Sequence, residues 1–158
     1  MKKLLRRKEP GIPFTREGYQ KLLEDRAMFL AARPEAVEHL RKSREMGDLS
    51  ENGYYKASRQ QLSFLDSRIR RVERLIQLAK IVESTNTGII DIGSTVTISD
   101  GTHEYTYEIV GGYESDPSKK TISNLSPLGR SLIGKKLHDV AEVHAPNGIK
   151  KYTIISVF

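Results

Sequence analysis

The spacing of apolar residues changes once along the chain, from a period of three or four positions to a period of two. The helical period covers residues 15–46 and 50–82 and forms a heptad seam, which favours helices packed along their length. The residues expected on the two seams are Tyr19, Leu23, Leu30, Val37 and Leu40, followed by Tyr55, Ser58, Leu62, Leu65, Ile69, Val72, Ile76 and Ala79. We therefore predict an antiparallel coiled-coil hairpin with helices about 45 Å long and its turn at the far end.

Two residues affect the predicted start and shape of the first helix. Thr15 is expected to be its N-cap, because a threonine hydroxyl can accept from an otherwise unpaired backbone N–H. Pro34 lies in the interior, where it removes one hydrogen bond and should kink the helix. The seam continues in register at Val37 and Leu40, so the pattern favours one kinked helix over two separate ones.

Beyond residue 88 the apolar pattern alternates, which is typical of strands. Strands are predicted at residues 95–99, 103–109, 121–123, 140–144 and 152–157. Asn147 and Gly148 favour a two-residue turn that joins the last two strands in a hairpin. Ser126 is expected to cap a short helix that has Pro127 as its first residue and stops at Gly134.

The predicted fold class is therefore α+β, with a long N-terminal coiled-coil hairpin and a C-terminal β-sheet domain that contains one short helix. The expected boundaries are residues 1–13 for a basic N-terminal extension, 14–83 for the hairpin with its acidic tip, 84–92 for a linker and 93–158 for the sheet domain. No internal repeat or low-complexity tract interrupts this order.

Charge is distributed unevenly between the two halves. Residues 1–82 contain 19 Lys and Arg against 11 Asp and Glu, a net charge of +8. Residues 83–158 contain 7 against 9, a net charge of −2. This asymmetry predicts that the helical half faces nucleic acid or another polyanion. The alternative is a well-solvated helical surface without a partner.

Composition excludes several classes of protein. The chain has no Cys, which rules out disulfides, thiol catalysis and zinc knuckles. No apolar run approaches the roughly 20 residues of a membrane span, and residues 1–8 lack the apolar core of a signal peptide. The four histidines show no metal-ligand spacing. We therefore expect a cytoplasmic protein with no membrane partner.

The turn between the helices carries the candidate chemistry. Glu45, Asp48 and Glu51 place three carboxylates in a hairpin that is otherwise basic. Asp48 and Glu51 have the spacing of a capping box, so they could simply begin the second helix. Two exposed carboxylates hold Mg²⁺ weakly, because this ion requires near-octahedral oxygen ligation and is usually held by one or two carboxylates plus phosphate oxygens. Such a pair is suited to completing a metal site in another molecule.

Cationic side chains flank these carboxylates on both helices, where they could attract RNA or an acidic protein surface in a salt-dependent manner. They are Arg41, Lys42 and Arg44 on the first helix and Lys56 and Arg59 on the second, with Arg68, Arg70, Arg71 and Arg74 further along. A basic run of this kind on a coiled coil is otherwise usually a solvated face. Because these cations lie near the acidic turn, we favour a role in binding RNA or an acidic protein surface.

The segment at residues 47–52, Gly-Asp-Leu-Ser-Glu-Asn, followed by Tyr55 and later by Gln60 and Gln61, resembles the tip motif of the bacterial Gre transcript-cleavage factors (GreA/GreB). The resemblance covers nearly everything from residue 14 to residue 157. The other matching fragments, in chain order, are Thr15-Arg16-Glu17-Gly18, Arg33-Pro34, Asp116-Pro117, Ile122-Ser123, and Ser126-Pro127-Leu128-Gly129 through Leu132-Ile133-Gly134-Lys135.

The resemblance implies an FKBP-like sheet domain that docks, through the loop of Ser126 and Pro127, at the rim of the secondary channel of bacterial RNA polymerase. The hairpin would enter that channel and reach the 3′ end of the nascent RNA. Asp48 and Glu51 would be the catalytic pair and would bind Mg²⁺ jointly with the polymerase. The residues expected to support the tip are Ser50, Asn52 and Tyr55. The factor, a monomer without activity of its own, would stimulate the polymerase to hydrolyse backtracked RNA.

The sequence departs from the family pattern at Gly53 and Tyr54, where members usually carry alanine and an acidic residue. One tip carboxylate is thereby lost. Two alternatives stay open: a Gre-like inhibitor that occupies the channel without supporting cleavage, and a prolyl isomerase or chaperone that uses the FKBP-like domain. Sequence-specific DNA binding lacks a recognisable reading motif.

Overall fold

The chain divides into two units, each with its own internal packing. The computed structural model describes residues 11–46, 53–84, 87–145 and 148–158. One unit is Gln20–Leu78, and the other combines the segment before it, up to Tyr19, with Ala79–Phe158. This division differs from the expected boundaries, because the first turn of the first helix and the residues after Leu78 belong to the sheet-containing unit.

The first unit is a pair of long helices, α1 (Arg16–Glu45) and α2 (Gly53–Leu78). Thr15 caps α1 as predicted, since its Oγ1 accepts from the Gly18 backbone N–H at 3.0 Å. Pro34 lies inside α1, which continues through it without interruption. Ion pairs between α1 and α2 include Arg26 Nε to Glu73 Oε1 at 3.3 Å and Arg33 Nε to Asp66 Oδ1 at 2.8 Å. The partners advance by seven positions on α1 and retreat by seven on α2, which is the relation of antiparallel helices in heptad register.

The predicted seam of α2 is confirmed. Ser58, Ile69 and Val72 are buried. The half-buried seam positions are Tyr55, Leu62, Leu65 and Ile76. Leu75, which the pattern did not include, is buried beside them.

The predicted seam of α1 is wrong by one position at Leu23, Leu30 and Val37, whereas Tyr19 and Leu40 are half-buried as expected. The buried residues are Leu22, Ala36 and Ser43, whereas Leu23 and Leu30 are 37% and 39% exposed. Ala36 and Ser43 are small, and one of them is polar, so they do not register as apolar seam positions. The larger aliphatic side chains beside them drew the prediction to the wrong face of the helix.

The second unit begins with a pair of short strands that the sequence did not reveal. β1 (Ile12–Phe14) pairs in parallel with β2 (Ala79–Ile81), and the Val82 N–H donates to the Phe14 carbonyl at 2.8 Å. The second helix was expected to reach Val82 but ends at Leu78. Strands of three residues are too short to show a period of two, and residues 79–81 happen to continue the helical spacing.

The main sheet has five strands in the order β5-β4-β3-β7-β6, with antiparallel pairing except between β4 and β5. Its elements are β3 (Thr95–Ser99), β4 (Glu104–Val110), a 3₁₀ turn (Pro117–Lys119), β5 (Thr121–Ser123), α3 (Pro127–Leu132), β6 (Val140–Ala145) and β7 (Gly148–Val157). One face of the sheet packs with α3 around a core of Ile90, Val96, Ile98, Ile109, Leu132, Ala141 and Ile154.

The predicted fold class is confirmed, with a long helical hairpin and a β-sheet unit that contains one short helix. The five strands occur where they were expected, and β7 begins earlier than predicted. β6 and β7 do form a hairpin, but Gly148 pairs with Ala145 and is therefore not a central residue of the turn. Asn147, the other predicted turn residue, lies outside the residues that the structure describes.

Candidate functional site

In the sequence, the predicted acidic turn falls between the last residue of α1, Glu45, and the first residue of α2, Gly53. Asp48 and Glu51, the predicted catalytic and Mg²⁺-binding pair, lie outside the described residues, as do Ser50 and Asn52. The structure therefore defines the helix ends on either side of this segment. Across residues 11–46, 53–84, 87–145 and 148–158, no group of three or more His, Asp or Glu side chains could hold a metal ion. In the same ranges, no helix is long and apolar enough to cross a membrane.

Two of the three predicted cations of α1, Arg41 and Lys42, are engaged with carboxylates of their own helix. The Arg41 guanidinium bonds Glu38 at 2.7 Å and also contacts Glu45, and Glu38 is the main cause of a raised pKa for Arg41. The Lys42 ammonium lies 3.9 Å from the same Glu38 carboxylate. These pairs are exposed, so they contribute little stability. They do reduce the net positive charge of this turn of α1.

The predicted cations of α2 form the more accessible positive surface. Lys56 and Arg59 are exposed, and neither forms an ion pair with another described residue. Arg70 and Arg74 recur on the same face of the helix, opposite the buried seam. We call Lys56, Arg59, Arg70 and Arg74 the cationic face of α2. Arg44, in the last turn of α1, is exposed as well.

The two residues that depart from the family pattern begin α2. Tyr54 is 40% exposed, and its ring centroid lies 6.4 Å from that of His39 on α1 at an interplanar angle of 53°. This contact supports a packing role for Tyr54 across the hairpin. A Cβ added to Gly53 would meet no heavy atom within 4 Å among the described residues, so no close contact requires a glycine there. Tyr55, a predicted tip-support residue, is half-buried on the α2 seam.

A partly buried junction at the start of α1 was not predicted from the sequence. The Glu114 carboxylate accepts from the Thr15 backbone N–H at 3.0 Å, from the Thr15 hydroxyl, and from the Gly111 backbone N–H at 3.0 Å. A Cβ at Gly18 would lie 1.8 Å from Glu114 Oε2, and one at Gly111 would lie 2.3 Å from the Pro13 carbonyl oxygen. The two glycines therefore permit the close approach. Thr15 and Glu114 are 99 positions apart, so no local pattern could have revealed this contact.

A second carboxyl group lies near this junction. Partial burial raises the pKa of Glu108 above its usual range, and the nearby carboxylates of Glu17 and Glu114 raise it further. A carboxyl group with a raised folded-state pKa stabilises the fold in its protonated form, and that contribution is lost as pH rises through the folded-state pKa.

We therefore expect Glu108→Gln to raise the melting temperature of the sheet unit at pH 7 and to change it little at pH 4, where Glu108 is mostly protonated. Thermal denaturation of the full chain at both pH values measures this effect. Glu104→Gln, an exposed position on the same strand, is the matched control. A stabilisation that is the same at both pH values would contradict the electrostatic explanation.

Ser126 and Pro127, the predicted docking residues, form the start of α3. The Ser126 hydroxyl accepts from the Gly129 N–H at 3.0 Å and donates to the Ser123 carbonyl at 2.8 Å, so it caps the helix as predicted. Pro127 is the first helical residue. The neighbouring Leu125 side chain is 55% exposed. The docking role itself stays a prediction, and Leu125 adds an apolar contact surface to the loop.

Tyr105 and Tyr107, two aromatic residues of the sheet unit, share one face of β4. Their rings stack with centroids 6.4 Å apart and an interplanar angle of 9°. The Tyr105 hydroxyl donates to Asp100 at 3.2 Å. The two rings thus cover one another and form a row along the strand.

Comparison with known proteins gives matches to both halves of the chain. The family model described as "Transcription elongation factor, N-terminal" matches residues 12–81, and the one described as "Transcription elongation factor, GreA/GreB, C-term" matches residues 85–158. Transcription elongation factor GreA of Staphylococcus saprophyticus is 44% identical over 140 residues, which cover 86% of this chain and 89% of the relative. That of Paracoccus denitrificans is 41% identical over 150 residues, covering 92% and 96%.

Among solved structures, GreA factor homolog 1 of Thermus thermophilus is 23% identical, with a TM-score of 0.45, over 94% of this chain and 99% of that one. The assignment rests on the sequence matches, which are continuous through the hairpin and the sheet unit. The order of helices, strands and short capped helix fits those matches from end to end. This chain belongs to the GreA/GreB family of transcription elongation factors.

Proposed function

We propose that this protein binds bacterial RNA polymerase and stimulates the polymerase's own hydrolysis of backtracked RNA. The observation that carries the proposal is the acidic Asp48/Glu51 turn at the junction of two long antiparallel helices, in a chain of the GreA/GreB family. The hairpin enters the secondary channel of the polymerase and brings the turn to the RNA 3′ end. The protein acts there as a monomer, in the cytoplasm.

The chemistry of the turn follows from what its carboxylates can bind. Asp48 and Glu51 supply oxygen ligands of the type that Mg²⁺ prefers, but too few for a stable site, so the polymerase and the RNA must supply the rest. A bound Mg²⁺ would lower the pKa of a coordinated water and orient it for attack on a phosphodiester. The chain itself contributes the two carboxylates and their position. We therefore expect no RNA cleavage by the factor alone.

The surfaces around the turn have separate tasks. The cationic face of α2, together with Arg44, attracts RNA and acidic surfaces of the channel. Arg41 and Lys42 contribute less than the sequence suggested, because they share nearby carboxylates. The sheet unit docks at the channel rim through the loop of Leu125, Ser126 and Pro127, whose shape is fixed by the helix cap.

The direct test uses a stalled elongation complex with RNA labelled at its 5′ end. Addition of the protein with Mg²⁺ is expected to shorten the labelled RNA and to restore elongation when nucleotides are added. RNA polymerase without the factor sets the background, and the factor mixed with free RNA tests for activity of its own. If the RNA stays intact while nucleotide addition slows, the protein is instead an inhibitor that occupies the channel, and Tyr54 in place of an acidic residue would be the first position to examine.

The cations of α2 should contribute more to binding than those of α1 that have carboxylate partners. Lys56→Gln with Arg59→Gln is expected to weaken the apparent affinity for the stalled complex and to lower the slope of log affinity against log salt by about 1 for each cation removed. Arg41→Gln is expected to change both less, because Glu38 and Glu45 already balance that guanidinium. Factor titrations of RNA shortening at several salt concentrations measure the effect. Equal losses from the two helices would contradict the proposed division of charge.

A further inference from the structure

The first turn of α2 receives little support from its own side chains. The helix begins at Gly53, and glycine has a lower helix propensity than alanine because it loses more backbone freedom on folding. No acidic residue lies in this turn, so none of its side chains interacts favourably with the positive end of the helix dipole. A contact with another element therefore has a large influence on the direction in which α2 starts.

Tyr54 forms such a contact with α1. Its ring centroid lies 6.4 Å from that of His39, at an interplanar angle of 53°. This distance is within the range at which two aromatic rings attract one another in a tilted arrangement. Tyr54 is the second residue of α2, and His39 lies in the last two turns of α1. The contact therefore joins the two helices close to the ends that flank the acidic segment.

The His39 ring is itself held in place on α1. Its Nε2 atom lies 3.7 Å from the Glu35 carboxylate, one helical turn earlier. On the side of α2, His39 lines the same groove as Ala57, which lies about one turn after Tyr54. The small methyl group of Ala57 leaves space in which the imidazole can lie beside α2. Both helices thus support the position of this ring.

The place of Tyr54 in the chain connects the contact with the candidate chemistry. Glu51 precedes Tyr54 by three residues, and Asp48 precedes it by six. The direction of the first turn of α2 sets the path on which the chain leaves the helix toward these carboxylates. Metal ligands must be held within about 0.5 Å of the productive geometry, so a small change in that direction is enough to reduce catalysis.

We propose that the His39–Tyr54 contact positions the Asp48/Glu51 turn for Mg²⁺ binding during RNA hydrolysis. His39 and Tyr54 are positioning residues, because they act through the direction of α2 and supply no ligand to the metal. This role rests on the proposed function, which assigns metal binding to the turn. It belongs to the aromatic ring of Tyr54 and does not require its hydroxyl group.

The test is single-turnover shortening of RNA in a stalled elongation complex, with saturating factor and a range of Mg²⁺ concentrations. Tyr54→Ala and His39→Ala are each expected to raise the Mg²⁺ concentration for half-maximal rate by about two- to ten-fold, the usual effect of losing one aromatic contact. Tyr54→Phe keeps the ring and should match the wild type. Competition with the wild type should show unchanged binding to the stalled complex, and thermal denaturation verifies that the variants are folded.

A double-mutant cycle tests whether the two rings act through one another. If they do, the double variant His39→Ala/Tyr54→Ala has the same Mg²⁺ dependence as either single variant. The control cycle combines Tyr54→Ala with His103→Ala, because His103 is an exposed histidine of the sheet unit whose ring lies beside Tyr105. His103→Ala should have no effect alone and should add nothing to the effect of Tyr54→Ala.

Hydrogen exchange of the free protein measures the same contact without polymerase. In an α-helix that begins at Gly53, the amides of Ala57 and Ser58 donate to carbonyls of the first turn. They should exchange about two- to ten-fold faster in His39→Ala and in Tyr54→Ala, because the start of α2 opens more often. The amide of Ile69, in the packed part of the same helix, should be unaffected.

An unchanged Mg²⁺ dependence in His39→Ala would overturn the positioning role, and so would additive effects of His39→Ala and Tyr54→Ala. An effect of Tyr54→Ala alone would overturn it as well, and would assign Tyr54 to a direct contact with RNA or polymerase. A wild-type protein that shortens no RNA would refute the proposed function and this role with it. A wild-type protein that shortens RNA, with normal hydrogen exchange in both variants, would refute the positioning role alone.

Discussion

Asp48→Asn is expected to lower the rate of factor-stimulated RNA shortening by a factor on the order of 100, and Glu51→Gln by a similar amount. Mutation of residues that merely orient a metal ligand typically costs 10- to 100-fold in metal affinity or activity, so removal of a ligand oxygen should cost at least as much. The amide substitutions preserve size and most hydrogen bonding while removing the negative charge that attracts Mg²⁺. Single-turnover shortening of RNA in a stalled complex, over a range of Mg²⁺ concentrations, measures the effect.

The matched control for these substitutions is Glu24→Gln. Glu24 is an exposed carboxylate on α1 that accepts a surface hydrogen bond from the Gln20 side-chain amide. Its substitution should leave RNA shortening unchanged. Competition between each variant and the wild type for the stalled complex separates a loss of catalysis from a loss of binding. If the doubly neutralised variant binds normally and still shortens RNA at the wild-type rate, the turn has no role in metal binding. The structural alternative, in which both acids only cap α2, would then stand.

Glu114→Ala is expected to destabilise the sheet unit by about 3 kcal/mol, because it leaves two backbone N–H donors, those of Thr15 and Gly111, without their partner. The Thr15 hydroxyl loses its acceptor as well. Glu114→Gln should have a smaller effect, since one carbonyl oxygen remains to accept. Chemical denaturation of the full chain measures the free energy of unfolding, and hydrogen exchange at the amides of Thr15 and Gly18 reports on the start of α1.

The control for Glu114 is Glu83→Gln. Glu83 also contacts the start of α1, through Arg16 at 2.6 Å, but both side chains are highly exposed, so little change in stability is expected. If Glu83→Gln and Glu114→Ala destabilise the protein equally, the partly buried hydrogen bonds of Glu114 would not be the source of the effect. Accelerated exchange confined to the first turn of α1 in Glu114→Ala would support the local role.

Most of the architecture could be predicted from the periods of the sequence because each half keeps one period over many residues. The α2 seam was correct since its positions are large and apolar, from Leu62 to Val72. The α1 seam was displaced because packing against α2 selects Ala36 and Ser43, whose small size matters more than their polarity. Such a choice depends on the neighbouring helix and cannot be read from one helix alone.

In the candidate site, too, local features could be predicted from the sequence and long-range contacts could not. Ser126 and Thr15 were recognisable as caps because a cap is a local arrangement, set by residues within one turn. The partners of Arg41 lie at offsets of three and four, and they could have been read from the sequence as the signal of a neutralised cation. Glu114 could not, because its contacts join segments that are distant in the chain.

The parallel pairing of β1 with β2 brings the chain on either side of the helical unit back to adjacent strands. Residues 20–78 are therefore an insertion in the sheet unit, and the chain leaves and re-enters that unit at the paired strands β1 and β2. The crossing pairs Arg26–Glu73 and Arg33–Asp66 repeat at heptad intervals, so a matched pair of heptads can be excised or duplicated while the register is kept. The length of the helical hairpin can thus change in steps of about 10 Å, which is one heptad at 1.5 Å per residue, while the sequence of the sheet unit stays the same.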